Sequence, residues 1–183
     1  MTRRLFALFL SLAVGLSALA AAGTAVAKSK KEIDAETDEA LARLYAQSSA
    51  AKTLGEQAVG ILVFPEITKG GFIIGGEHGD GALRVGGKTD GYYESSSASI
   101  GLQVGISSRS LVIMFMTQEA LAKFKASDKW EAGVDADVTV VESGATGSID
   151  TTTGKNQVIG FNFGEKGLMA GVSIEGTKVE EKD

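Results

Sequence analysis

The chain has 183 residues, a net charge of −5 and a pI near 5.0, with no cysteine and a single histidine. Without cysteine there is no disulfide, no thiolate nucleophile and no thiolate metal site. The acidic balance argues against nucleic acid, whose phosphates need a basic footprint, and against broad adhesion to anionic membranes.

Residues 1–27 read as a signal peptide. Thr2-Arg3-Arg4 is a short basic start, Leu5 to Ala22 is apolar, and Ala25-Val26-Ala27 fits the small-x-small cleavage rule. The arginine pair fits twin-arginine export as well as the general route, and an uncleaved anchor is the alternative to cleavage. No cysteine follows the cleavage point, which excludes a lipoprotein anchor. The expected destination is the periplasm or the exterior. The mature chain loses two arginines and no acids, and is long enough for one compact core.

Residues 28–57 form a basic tip followed by an amphipathic helix. Lys28, Lys30 and Lys31 supply the tip. A helix is expected from about Ile33 to Gly55, with Ile33, Thr37, Ala40, Leu41, Leu44, Ser48 and Ala51 on one face. Acids crowd its first turns, where the helix dipole favours them. The face is narrow and made of small residues, which suits docking on a sheet; membrane contact is the alternative.

From Ala58 the pattern turns to short β runs with glycine between them, in a domain spanning 58–177. Gly60 to Phe64 is a strand that the only proline, Pro65, should end or place at an edge. Gly70-Gly71, the run Phe72 to Ile74 and Gly75-Gly76 follow, read as a second strand folded on the first. Ala82 to Val85 is a strand entered through a turn at Gly79-Asp80-Gly81, and Thr89-Asp90-Gly91 is another turn. Ser97 to Ile106 alternates. Leu111 to Met116 is continuously apolar, as in a strand buried on both faces.

Thr117 caps a short helix to Lys125, with Glu119 early and Lys123 and Lys125 late. Trp130 reads as a core plug in a turn. Asp135 to Val141 alternates with Val138 and Val140 inward. Residues 143–156 are a polar loop, and 157–163 and 168–174 form a final hairpin around Gly164 to Gly167. The charged tail, 178–183, is expected to fray. Seven or eight strands and two helices without βαβ alternation indicate an α+β fold. Its antiparallel sheet should be strongly curled, barrel- or sandwich-like, with an N-terminal helix and one short internal helix.

Chemical motifs are few. Ala82 to Thr89 fits a loose phosphate-loop pattern, but turn and strand follow it where a helix is required, so nucleotide binding is not supported. His78 has no nucleophile elbow to serve, and zinc would call for more nitrogen or sulfur ligands. Calcium near Glu77 and Asp80, or Asp135 and Asp137, stays open, since carboxylates suffice for it; otherwise these acids are solvated. Asp135 and Asp137 are placed on one strand face. No cofactor and no enzymatic activity are expected.

Together the segments AVGILVFPEITKGGFIIGGEHGDGAL, IGLQVGISSRSLVIMFMTQEALAKF, GVDADVTV and FNFGEKGLMAGVSIEG resemble the SYLF domain family. The features that carry the likeness are Pro65, Lys69 to Phe72, Gly101 to Gly105, Leu111 to Phe124 and Lys166 to Gly176, over roughly Leu54 to Gly176. The resemblance implies lipid binding. Eukaryotic members bind phosphoinositides, partly through an N-terminal amphipathic helix, and some bind actin; bacterial members are exported envelope proteins. On that likeness the expected lipid-contacting cations are Lys28, Lys30, Lys31, Arg43, Lys52 and Lys69, acting at a peripheral membrane surface. A periplasmic structural or protein-interaction module without lipid is the alternative. A small outer-membrane barrel fits less well, because Leu111 to Met116 lacks alternation and the chain ends in charge.

Overall fold

A computed structural model describes residues 28–70, 75–99, 108–142 and 156–182. The expected signal peptide, the run Phe72 to Ile74, most of the alternating stretch after Ser97 and the polar loop at 143–155 lie outside the described residues. Three helices are described, α1 (Lys30–Gln47), α2 (Ser49–Gln57) and α3 (Gln118–Lys125). Nine strands are described: β1 (Gly60–Gly70), β2 (Gly75–Val85), β3 (Lys88–Ser99), β4 (Ser108–Phe115), β5 (Lys129–Glu131), β6 (Thr139–Val140), β7 (Val158–Gly164), β8 (Gly167–Leu168) and β9 (Lys178–Glu181). They form one sheet in the order β5-β9-β3-β2-β1-β4-β7-β6, with β8 beside β7. All these pairings are antiparallel except β6 with β7, so the α+β expectation holds with a sheet that is mixed at one edge.

The sheet curls around one apolar cluster. Leu62, Phe64, Leu83, Tyr93, Leu111, Ile113, Phe115, Val158 and Val179 face inward from six strands and enclose Leu121 and Phe124 of α3. The alternate residues Val63, Val112, Met114, Ile159, Phe161 and Phe163 face outward, where Ala40, Leu44, Ala51 and Leu54 of α1 and α2 cover them. This double coverage explains why Leu111 to Met116 is apolar without alternation. Trp130 is 2% exposed and closes the inner cluster, edge-on to Phe124 at 5.6 Å and to Phe115 at 6.3 Å. It is a core plug as expected, but it lies in strand β5 and not in a turn.

Several local expectations are corrected. The N-terminal helix is two helices. Ser48 ends α1 in extended conformation, and its side chain accepts from Ala51 N–H at 3.1 Å to start α2. A serine that caps the second helix cannot also continue the first. Gly55 does not stop the helix; it lies within α2 against the Tyr45 ring, with no room for a Cβ.

Pro65 neither ends its strand nor sits at an edge. It lies within β1 between two paired neighbours, at bulges on both sides, where no ladder N–H is demanded of it. Gly79-Asp80-Gly81 is not a turn but the middle of β2. Gly81 is glycine because a Cβ there would run into the Val63 carbonyl and the Phe64 ring beside the bulge. Thr89-Asp90-Gly91 is likewise strand, in β3. The turn falls at Gly86-Gly87, with φ of +59° and +77°, as a two-residue hairpin demands.

The final hairpin turns where expected, but its second arm is strand only over Gly167–Leu168. The charged tail does not fray. β9 pairs with β3 and β5, with Val179 buried and Lys178 and Glu180 outside. A single inward valine in an alternating segment is enough to seat it once neighbours are supplied.

The short helix α3 matches its reading. Thr117 Oγ1 accepts from Ala120 N–H at 3.2 Å, and Lys123 and Lys125 lie in the last turn.

Candidate functional site

Where α1 crosses the β1 bulge, the outer face opens into a groove of about 720 Å³. Its walls are Glu36, Glu39 and Arg43 of α1 and Glu165 to Met169 of the β7–β8 hairpin; its floor is Pro65, Glu66 and Ser108 to Ser110. The volume falls in the range of small-molecule sites.

The helix wall is fixed from both sides. Serine caps start it, since the Ser29 side chain accepts from Glu32 N–H, and its stripe of Ile33, Thr37, Ala40 and Leu44 is buried on the sheet. Full burial of a side chain such as Ile33 or Leu44 contributes about 1.5–3 kcal/mol. Its polar edge is held by Asp34. Thr89 Oγ1 and Tyr92 Oη donate to the two Asp34 oxygens at 2.6 and 2.8 Å, and Arg84 lies 3.2 Å away. Arg84 also donates to Asp38 at 2.7 Å and to the Asp34 carbonyl at 3.0 Å.

The hydrogen bond from Thr89, with help from Tyr92 and the Arg84 charge, outweighs burial and holds the Asp34 carboxyl below its usual value of 3.8. The hydrogen bond from Tyr92 to Asp34 pushes the Tyr92 phenol upward. A carboxylate whose folded value is depressed stabilises fully above the unfolded value, and that stabilisation is lost as pH falls through the folded one. Asp34→Ala is therefore expected to cost about 1–2 kcal/mol at neutral pH, as for hydrogen bonds to a partly exposed charge. The gap from wild type should shrink below pH 3.8, which urea melts at pH 7 and at progressively lower pH would check. A gap that stays constant into acid would show that the charge contributes nothing.

The ends of the groove are tied. At one, Lys28 donates to Glu36 at 2.7 Å and to Glu66 at 3.3 Å. Burial pulls its ammonium down, but both glutamates together hold it above the ordinary lysine value. At the other, Gln47 Nε2 donates to the Gly164 and Glu165 carbonyls at 3.2 and 3.4 Å. On the floor Ser110 Oγ donates to the Pro65 carbonyl at 2.6 Å, which satisfies the bulge.

Arg43 reaches in loosely, 3.3 Å from Ser110 Oγ and 3.8 Å from Glu39. Lys166 has no ion pair among the described residues. The site thus offers two loosely held cations, serine hydroxyls, and the apolar surfaces of Pro65, Leu168 and Met169. Four carboxylates rim it. Its serines have no imidazole beside them, since His78 lies elsewhere, against Asp80 and Glu94.

The six cations expected at a membrane are not gathered in one place. Lys28 and Arg43 reach the groove. Lys30 lies over the Tyr92 ring at 5.3 Å, and Lys31 and Lys52 are exposed on α1 and α2. Lys69 is half-buried near the end of β1, across from Glu77 in register, and engaged with the protein.

Arg109 lies at the groove floor, yet it shares the alternation of Leu111, Ile113 and Phe115. Its guanidinium turns into the curl, to Glu77 at 2.7 Å and to Asn162. One signal for it was present in the sequence: an arginine two residues before an unbroken apolar strand. Three of the acids considered for calcium, Glu77, Asp80 and Asp135, are engaged within the protein. Glu77 holds Arg109, Asp80 accepts from Lys182 at 2.6 Å, and Asp135 accepts from Glu131 N–H at 2.6 Å. Asp135 sits in a turn, so the expectation that Asp135 and Asp137 share a strand face is corrected.

A family model described as "Ysc84: Las17-binding protein actin regulator" matches residues 96–183. Residues 96–183 are similar to the Ysc84 (SYLF) family. This is the family that the sequence resembles, though the match takes in only the later of the segments that carry the likeness. The Ysc84 segment supplies the end of β3, all of β4 to β9 and α3. The helix wall and the β1 bulge precede it, so the groove lies between the Ysc84 segment and the elements packed on it. No curated protein matches the chain.

Proposed function

We propose that this protein is a non-enzymatic lipid-binding protein of the bacterial cell envelope, exported with cleavage near Ala27, and that the groove receives a phospholipid headgroup. The observation that carries the reading is the groove itself. In a chain with a Ysc84 segment, it sets two loosely held cations beside hydroxyls and a short apolar wall. Arg43 and Lys166 would meet phosphate, and Leu168 and Met169 the first methylenes of the chains. The carboxylate rim favours headgroups that also carry an amine. The apolar stripes of α1 and α2 are spent on the sheet, so contact with a membrane would run through the groove mouth and not through helix insertion.

The purified protein should float with phosphatidylethanolamine–phosphatidylglycerol vesicles. Arg43→Glu with Lys166→Glu should weaken flotation about tenfold or more, since each basic residue near such a surface contributes about 1 kcal/mol. Absence of flotation with every phospholipid tested would end this reading. The family description names a protein partner, which supports a second reading: a periplasmic protein-interaction module. Pull-down from envelope extracts that recovers protein and no lipid would favour it.

A further inference from the structure

Away from the groove, the outer face of β2 and β3 carries a ligand set that local sequence spacing does not reveal. His78 and Asp80 are two apart on β2 and so share a face. Asp80 is paired in register with Glu94 of β3, and Glu94 in turn with Glu180 of β9. Three carboxylates therefore stand in a row across three adjacent strands, an arrangement that costs stability unless cations answer it. Glu180 is answered by Lys129 at 3.2 Å and Asp80 by Lys182 at 2.6 Å. Among the described residues Glu94 has only His78, whose Nδ1 lies 3.3 Å from Glu94 Oε1 and whose Nε2 lies 4.0 Å from Asp80 Oδ1.

We infer that His78, Asp80 and Glu94 bind a divalent transition-metal ion of the zinc class. One donor atom from each lies within 4.8 Å of the others. Tetrahedral zinc with ligands at about 2.0–2.2 Å holds its donors roughly 3.3–3.6 Å apart, so small side-chain rotations suffice. The two strands supply a stiff backbone for all three ligands. The imidazole separates this set from an ordinary acidic patch, because it favours zinc, copper or nickel over calcium and magnesium. Three protein donors leave a position for water or for a ligand carried in by a partner. Lys182 is the built-in competitor: its ammonium occupies Asp80 and must swing away when the metal enters.

Isothermal titration of the purified protein with zinc chloride, and separately with calcium chloride, tests the site. One zinc per chain is expected, with no matching calcium heat. His78→Ala should weaken zinc at least about tenfold, as even the loss of outer-shell partners does at metal sites. The His78 side chain is 54% exposed, so the variant should keep the wild-type far-ultraviolet circular dichroism. Lys182→Met should tighten zinc about two- to fivefold, the reach of a surface ion pair. Zinc binding that His78→Ala leaves unchanged, calcium bound in preference to zinc, or no zinc heat at all would overturn the inference. Vesicle flotation of His78→Ala should match wild type, which keeps this test apart from that of the groove.

Discussion

Arg109→Ala is expected to destabilise the protein by about 3–5 kcal/mol, as removal of one partner from a buried ion pair does. Arg109 is 7% exposed, and the Glu77 carboxylate it holds has a side chain only 18% exposed. Without the guanidinium that carboxylate stays in a poorly solvated place, with Ser97 Oγ donating to it at 3.4 Å. Asn162, fully buried, loses the donor to its side-chain oxygen, while its side-chain amide still donates to the Val172 carbonyl at 3.0 Å. Arg109 Nε is itself buried without a partner among the described residues, so the pair is held at a cost even in wild type. Replacing both charges, Arg109→Leu with Glu77→Gln, should therefore recover most of the loss. Urea melts of the single and double variants give the coupling directly. A single variant within 1 kcal/mol of wild type would show that water reaches Glu77 freely.

Trp130→Ala should cost about 3–5 kcal/mol by opening a cavity at the centre of the inner cluster. Four aromatic rings meet there. Phe124 lies 4.8 Å from Phe115 and 5.0 Å from Tyr93, and Trp130 stands edge-on to Phe115 and Phe124. Burial, with the Glu181 and Asp90 charges nearby, pushes the Tyr93 phenol up to about 12, a sign of how closed this end is. The damage should spread to β9, since Trp130 pairs in register with Val179. Hydrogen exchange would then show faster exchange in 178–181 than in β1 or β4. Uniform loss of protection, with β9 no worse than the centre, would contradict a local role for the plug.

Both effects arise from residues whose importance was unequally visible. Trp130 was legible as core, because a lone large aromatic after a capped helix has few other uses. The α3 cap at Thr117 and the doubly buried Leu111 to Met116 were legible for the same kind of reason: each is settled within a few residues. Arg109 was not, because its partners come from β2 and β7, on either side of its own strand. The turn at Gly86-Gly87 was missed in favour of glycines at 79, 81 and 91. At Gly79 and Gly81 glycine marks close approach to the β1 backbone, where a Cβ would meet the Glu66 and Val63 carbonyls, and not reversal of the chain.

Pattern along the chain was enough to determine the α+β class, the curl of a glycine-rich sheet and the sheet-docking character of the first helices, since periodicity and capping are local properties. Only the tertiary structure decided that Pro65 sits at a bulge inside β1, that the charged tail is strand β9, and that His78 meets Asp80 and Glu94. The first two depend on pairing with strands far along the chain and the third on the register of the β2–β3 hairpin, and register is set by the packing of the whole sheet.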